Sequence, residues 1–375
     1  MLSFWERKHF LYYDLVVVGA GIVGLSTAIQ YKKIQPSKKV LVLERGVFPS
    51  GASTKNAGFA CFGSLTEILD DLKTLSEKEV LELVSRRYKG LNAIRREFGD
   101  DALGYEASGG YELFTGNEMP QLGQMATINS LLFPLFGADV FEEIPSIDKL
   151  GFGKKVQAVV RNAFEGELDT GKFISALWEK CQALGIRILT GAKVTSVDID
   201  RRIISVLDSA SNKPISFEAG GIAFCTNAFT REFLPELDIQ PGRGLVMVTK
   251  PIADGIQWSG SFHYDKGYVY FRQIDRRLLI GGGRNLDFLG ERTTEPSINP
   301  KIRAYLIDLV NEVILPGKSW EIDMEWTGVM AFGENKKPIV KLLNPNVGMA
   351  VRLGGMGVAI GWHTAGELVE LLDPS

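Results

Sequence analysis

An apolar strand, Asp14 to Val18, runs directly into Gly19, Gly21 and Gly24, and a second apolar strand, Val40 to Leu43, ends on Glu44. This order of strand, glycine turn, helix, strand and acid constrains the fold more than any other feature of the chain. It describes a Rossmann-like βαβ unit whose first turn receives a pyrophosphate. Gly19 permits the tight turn, and Gly21 leaves the backbone open to the phosphates. Gly24 lets the helix that begins near Ile22 and Val23 pack closely on the strand. The helix N-terminus supplies the anion site. Glu44 lies 20 residues beyond Gly24, where a carboxylate accepts both ribose hydroxyl protons and disfavours a 2′-phosphate. A bound adenine dinucleotide is the first expectation.

With 375 residues, 45% of them hydrophobic, the chain can bury more than one core, so cofactor and substrate can have separate walls. A net charge of -3 argues against nucleic acid as a partner. Cys61, Cys181 and Cys225 are scattered, which points to a reducing, cytoplasmic setting and gives no disulfide framework. His9, His263 and His363 form no closely spaced pair, and no metal centre is expected. No apolar run reaches the roughly 18 residues of a membrane span. The segment Met1 to Tyr13 carries Glu6, Arg7, Lys8 and His9 without a cleavage pattern, so it reads as neither span nor export signal. Its Phe4, Trp5, Phe10, Leu11, Tyr12 and Tyr13 are expected to pack on the first lobe, with peripheral contact on a membrane surface as the alternative.

Further along, Leu65 to Phe98 has the periodicity of helices, and Tyr105 to Phe114 is strand-like. Lys172 to Leu184 predicts a helix and Ile186 to Leu189 a strand that resumes the parallel sheet; Lys193 to Leu207 adds one or two more. Gly221 to Cys225 is another strand, ending at Thr226, Asn227 and Ala228, small residues that let a cofactor approach backbone amides. From Gly244 to Gly283 the texture becomes β-rich, which predicts a second, mainly antiparallel lobe with helices. A helix over Ile302 to Ile314 and a strand-rich return over Trp320 to Phe332 follow. The carboxyl end carries the turn Gly354, Gly355, Met356, Gly357, Val358 and then an amphipathic helix. The fold class is therefore α/β, interleaved: a discontinuous cofactor domain over 1–90, 150–232 and 318–375, and a substrate domain over 91–149 and 233–317.

These motifs, with Glu44-Arg45, the segment Gly51 to Gly58, the region before Val194 and the Thr226-Asn227-Ala228 exit, occur in an order that resembles the D-amino-acid oxidase-like superfamily of FAD-dependent oxidoreductases. The likeness runs to the branch containing glycine oxidase, sarcosine oxidase and the small subunit of D-amino-acid dehydrogenase, and covers nearly the whole chain. It implies a glutathione-reductase-2-like fold. It also implies FAD gripped at its adenine end by Gly19 to Glu44 and Val194. The flavin would be held by Ser53, Thr54, Lys55, Asn56, Ala57 and Gly58 together with Gly354 to Val358. Two departures are visible. Glu325 to Pro338 lacks the Arg-rich strand and Pro-Asp-Gly-like turn common in the family, and Trp320 to Val351 lacks a cysteine for covalent flavin, so FAD is expected to be noncovalent. NAD as sole cofactor would also suit Glu44 but not the later glycine segments. A flavin disulfide reductase would want a second nucleotide fingerprint and a Cys-x-x-Cys pair.

The resemblance implies oxidation of the C–N bond of a small amine or amino acid by hydride transfer to the flavin, giving an imine that hydrolyses. Electrons would pass to oxygen or, in the dehydrogenase alternative, to a quinone or other carrier. A flavin-binding protein without turnover is a third reading. A substrate carboxylate calls for guanidinium, and Arg272 is the first candidate because Tyr268, Tyr270 and Arg272 alternate on one strand face. Arg284 is the second. Lys55 is expected near the flavin or an ordered water, and His263 and Trp258 as possible borders of the same pocket.

Overall fold

The computed structural model describes residues 2–208 and 210–373. Its first sheet runs, in spatial order, Ile339–Asn344, Val347–Val351, Lys213–Phe224, Tyr12–Val18, Val40–Leu43 and Arg187–Leu189, with Val194–Asp198 and Ile203–Asp208 branching from Lys213–Phe224. The central four pairings, from Val347–Val351 across to Arg187–Leu189, are parallel. Strands covered on both faces read as unbroken apolar runs, and Val16, Val17, Leu41, Val42 and Ile222 are fully buried. Helices Ile22–Ile34, Thr170–Ala183 and Gly357–Leu372 supply Leu25, Ile29, Leu177, Ala365 and Leu368 to the core on one side.

The second sheet has the order Ile322–Phe332, Gln240–Thr249, Arg277–Gly282, Val269–Ile274, Ser261–Tyr264, Gly110–Phe114, Ala158–Asn162 and Phe141–Glu143. It is antiparallel except where Ser261–Tyr264 meets Gly110–Phe114. The helix Pro300–Leu309 and its continuation Val310–Ile314 cover one face through Ile302, Leu306, Val310 and Val313. The other face looks toward the first lobe.

Two strands lie in a different sheet from the one that the sequence division suggests. Ala158–Asn162 and Ile322–Phe332 belong to the second sheet, although 150–232 and 318–375 read as cofactor lobe. Ala158 to Val160 is a short continuous apolar run, a pattern that does not distinguish between two buried sheets. The amino-terminal expectation holds in part, since Tyr13 is buried in the first-lobe core and Leu11 packs against it, but the preceding helix does not. Helix Phe4–Phe10 is closed by a Ser3–Glu6 capping box but buries none of its residues, and Phe4 and Trp5 are 66% and 64% exposed. Its charged Glu6, Arg7 and Lys8 interrupt any apolar face broad enough to cover the lobe. Among the described residues, no helix is long and apolar enough to cross a membrane.

Candidate cofactor and substrate site

The carboxyl ends of the parallel strands and the facing side of the second sheet enclose one continuous cavity of about 990 Å³. The glycine turn forms its first wall. Gly19 has φ +103°, and a Cβ there would lie 2.8 Å from the Cys225 carbonyl oxygen. A Cβ on Gly24 would overlap the Gly19 carbonyl oxygen, which is why helix and strand need glycine at their crossing. At Gly21 the added atom would meet the Ser53 hydroxyl at 2.7 Å, and that hydroxyl already accepts from Ile22 N at 2.9 Å. Ser53 thus sits at the helix N-terminus, beside the free backbone donors that suit a phosphate.

Glu44 is buried and rigid. Its Oε1 accepts from Gly46 N at 2.9 Å, Ser50 N at 3.2 Å and Ser50 Oγ at 2.9 Å, while Oε2 accepts from Ala20 N at 3.1 Å. Oε2 therefore keeps acceptor capacity on the cavity side, as ribose binding requires. The Arg45 guanidinium lies 3.6 Å from the Phe229 ring centroid, forming with Val194 the wall of the outer end. Thr226 and Asn227 line the cavity; Asn227 has φ +48° and accepts from Arg352 N at 3.0 Å. At the other end Gly354 and Gly355, both with positive φ, lead Met356, Gly357 and Val358 into the last helix, and all five residues line the cavity.

Of the expected cofactor residues, Gly24, Thr54, Gly58 and Ala228 support this surface without lining it. Thr54 Oγ1 donates to Pro49 O at 2.7 Å. Gly58 N donates to Asn56 Oδ1 at 2.9 Å, and Ala228 is packed in the core. Lys55, Asn56 and Ala57 do line it.

The second sheet brings His263, Tyr270, Val246 and the alternating Gly328 and Met330 to the cavity, joined by Phe59, Tyr268, Phe288 and Phe332. Tyr268 precedes the strand Val269–Ile274, and Tyr270 lies on it. Arg284 stands on this wall between two rings, its guanidinium 3.8 Å from the Phe332 centroid and 4.8 Å from that of Phe288. Burial holds its pKa below the usual arginine value. Trp258 is not at the border; it packs against Phe152, Phe262 and Phe271 in the second core. Arg272 also departs from the expected placement. Its Nη1 donates to the Ala57, Gly58 and Leu168 carbonyls at 3.2, 3.3 and 2.9 Å, and its Nε is 3.3 Å from Glu167 Oε2. Alternation along the strand points it to the right lobe, but its length carries it to backbone beyond the cavity wall. Phe332 and Met330 were legible as alternate strand residues, yet nothing in the sequence marks that strand as facing a ligand.

Behind His263 lies a buried acid. Glu165 Oε1 accepts from Phe62 N at 2.7 Å and Gly63 N at 3.1 Å, while Oε2 is 3.8 Å from His263 Nε2. Burial, reinforced by the nearby Glu67 and Glu112, pushes the Glu165 carboxyl up to about 8, and burial pulls His263 down to about 4. A carboxyl whose pKa is raised on folding binds its proton more tightly in the folded state. Its stabilising contribution is complete below the unfolded value of 4.5 and is lost as the pH rises through about 8. His263 acts at the acid end, where its contribution is complete above 6.5 and is lost as the pH falls through about 4. Glu165→Gln should therefore lessen the fall in melting temperature between pH 5 and about 8.5. Parallel wild-type and variant profiles over that range would refute a titrating Glu165.

A family model described as FAD dependent oxidoreductase matches residues 14–371. The bifunctional protein ThiO/ThiG of Synechocystis sp. is 25% identical over 241 residues, which cover 63% of this chain and 33% of that protein, so the match spans about a third of its length. Among solved structures, glycine oxidase from Geobacillus kaustophilus superposes with a TM-score of 0.77 at 16% identity, covering 97% of this chain and 95% of the other. L-proline dehydrogenase from P. horikoshii gives 0.76 at 17% identity, covering 97% and 94%. Both likenesses extend the same two-lobed fold over the whole length.

Proposed function

The chain belongs to the family of FAD-dependent oxidoreductases, and from that premise we propose that it oxidises the C–N bond of a small amino acid or related amine that carries a carboxylate. The residues fit FAD, which in this reading is held noncovalently. Glu44 would take the ribose hydroxyls, Gly19 to Val23 with Ser53 the pyrophosphate, and the loop 53–58 with the turn 354–358 the flavin end. The chemistry supplied by bound FAD is acceptance of a hydride from the carbon beside nitrogen, leaving an imine for water to hydrolyse.

The observation that carries the substrate class is Arg284. A cation on a cavity wall, flanked by Phe288 and Phe332, suits a carboxylate brought out of water, because guanidinium offers two parallel donors and the rings exclude solvent around the pair. Tyr268 and Tyr270 would wall the remainder of the substrate, and burial pushes the Tyr270 hydroxyl up to about 12, so it stays protonated and able to donate. Lys55, on the loop beside Gly328, would meet the flavin edge or an ordered water. Alignment of this kind needs no strong base when the amine arrives neutral.

The test is an anaerobic screen of secondary amines and of both enantiomers of small amino acids, read by bleaching of the flavin band. At least one amino acid should bleach it. If none does while dithionite reduces the same FAD fully, the reading fails. Rapid mixing of the reduced enzyme with oxygen then identifies the acceptor: reoxidation no faster than that of free reduced flavin would exclude an oxidase and leave a quinone or another carrier.

A further inference from the structure

The loop 51–58 is held from the second lobe. Arg272, on the strand Val269–Ile274, donates from Nη1 to the carbonyls of Ala57 and Gly58, and through the same nitrogen to Leu168, whose own N–H binds Gly58 O at 2.8 Å. From the strand Ile322–Phe332, Trp326 Nε1 donates to Lys55 O at 3.0 Å. The first lobe contributes Thr170, whose hydroxyl donates to Asn56 Oδ1 at 2.9 Å, and Asn56 in turn ties Ser53 O and Gly58 N. Lys55, Asn56 and Ala57 face the cavity, and Ser53 reaches the amino end of helix Ile22–Ile34. Among the carbonyls that Arg272 and Trp326 hold, those of Ala57 and Lys55 belong to residues whose other side forms the cofactor wall, and Gly58 stands directly behind it.

We propose that Arg272 and Trp326 are positioning residues through which the substrate-side sheet fixes the cofactor loop, so that retention of FAD depends on contacts made by the other lobe. A guanidinium that donates to several carbonyls, with Glu167 beside it as an ion-pair contact only, makes charge-assisted bonds in a buried setting, which are stronger than neutral ones. Removing it takes the charged donor from the Ala57 carbonyl and leaves the Gly58 carbonyl to Leu168 N alone. The effect on FAD is indirect, because neither residue lines the cavity wall of 51–58 itself. This inference rests on the reading that FAD binds along that loop, but not on the identity of the substrate.

The experiment titrates FAD into apoprotein and follows quenching of flavin fluorescence, with the visible flavin spectrum and the melting temperature of the apoprotein recorded beside it. Trp326→Phe keeps a ring against Val246, Val248 and Leu279 and deletes one donor, so FAD should bind about fivefold to tenfold more weakly. Arg272→Met should weaken it by roughly 30-fold or more, with altered vibrational structure in the flavin band, and Arg272→Lys should recover part of the loss. An FAD dissociation constant within about twofold of wild type in both Trp326→Phe and Arg272→Met would overturn the proposal. So would an Arg272→Met enzyme that binds FAD normally but amino acids weakly, since that result assigns Arg272 to the substrate. Should Arg272→Met fail to fold, Trp326→Phe and Arg272→Lys decide the matter by the same twofold criterion. Failure of wild-type apoprotein to take up FAD would instead sink the functional reading beneath it.

Discussion

Gly24→Ala is expected to yield protein that retains no FAD and whose apo form melts well below wild type. The added Cβ would overlap the carbonyl oxygen of Gly19 and stand 3.4 Å from Cys225 Cβ. Helix Ile22–Ile34 must then move off the strand Tyr12–Val18. Alanine gains up to about 1 kcal/mol of helix propensity over glycine, but forcing atoms into a packed interior costs about 1 to 3 kcal/mol and at a backbone contact more, so the clash wins. The same shift misplaces the turn that receives the pyrophosphate. Gly21→Ala separates the two effects, because its Cβ meets only the end of the Ser53 side chain. Its apoprotein should melt near the wild-type temperature while its FAD dissociation constant rises by about tenfold or more, corresponding to at least roughly 1.4 kcal/mol. Gly116→Ala, with nothing within 4 Å of its Cβ and a position outside the cavity lining, is the control. Wild-type FAD content in Gly24→Ala would refute the close-packing account of this turn.

The contrast between these glycines and the two arginines shows what a sequence can disclose. Gly19, Gly21, Gly24 and Glu44 act within one continuous βαβ unit, so spacing alone gives each its place, and each lies where that spacing puts it. The partners of Arg272, Ala57 and Leu168, are 215 and 104 residues away in sequence. Alternation along the strand predicts the face on which Arg272 emerges but not what stands opposite. The same limit applies to Ala158–Asn162, whose apolar character fits either sheet, and to Phe4 and Trp5, whose aromatic content says nothing about whether a surface is waiting to receive them. The juxtaposition of His263 and Glu165 likewise joins residues from separate strands and loops, and it arises only when the second sheet closes over the loop 61–64. Residues that serve through backbone geometry were legible; residues that serve through distant contacts were not.

Arg284→Met should raise the amino-acid dissociation constant by roughly 30-fold, about 2 kcal/mol, while leaving FAD content and folding intact. Methionine keeps an apolar stem between Phe288 and Phe332 and removes both donors, so the substrate carboxylate would lose its partner within the cavity. The expected magnitude follows from the asymmetry of buried hydrogen bonds to charged groups, where the larger cost is the charge left unpaired. Arg284→Lys should recover only part of the affinity, because a single ammonium does not reproduce the planar fork and stacks less well on the rings. Comparing each amino acid with its uncharged amide in anaerobic flavin reduction isolates the carboxylate: the amide should bind wild type and Arg284→Met alike. Equal weakening of acid and amide would mean that Arg284 shapes the cavity without binding the anion. An unchanged amino-acid dissociation constant would remove it from the site and leave the substrate class to be argued from Tyr268, Tyr270 and His263 instead.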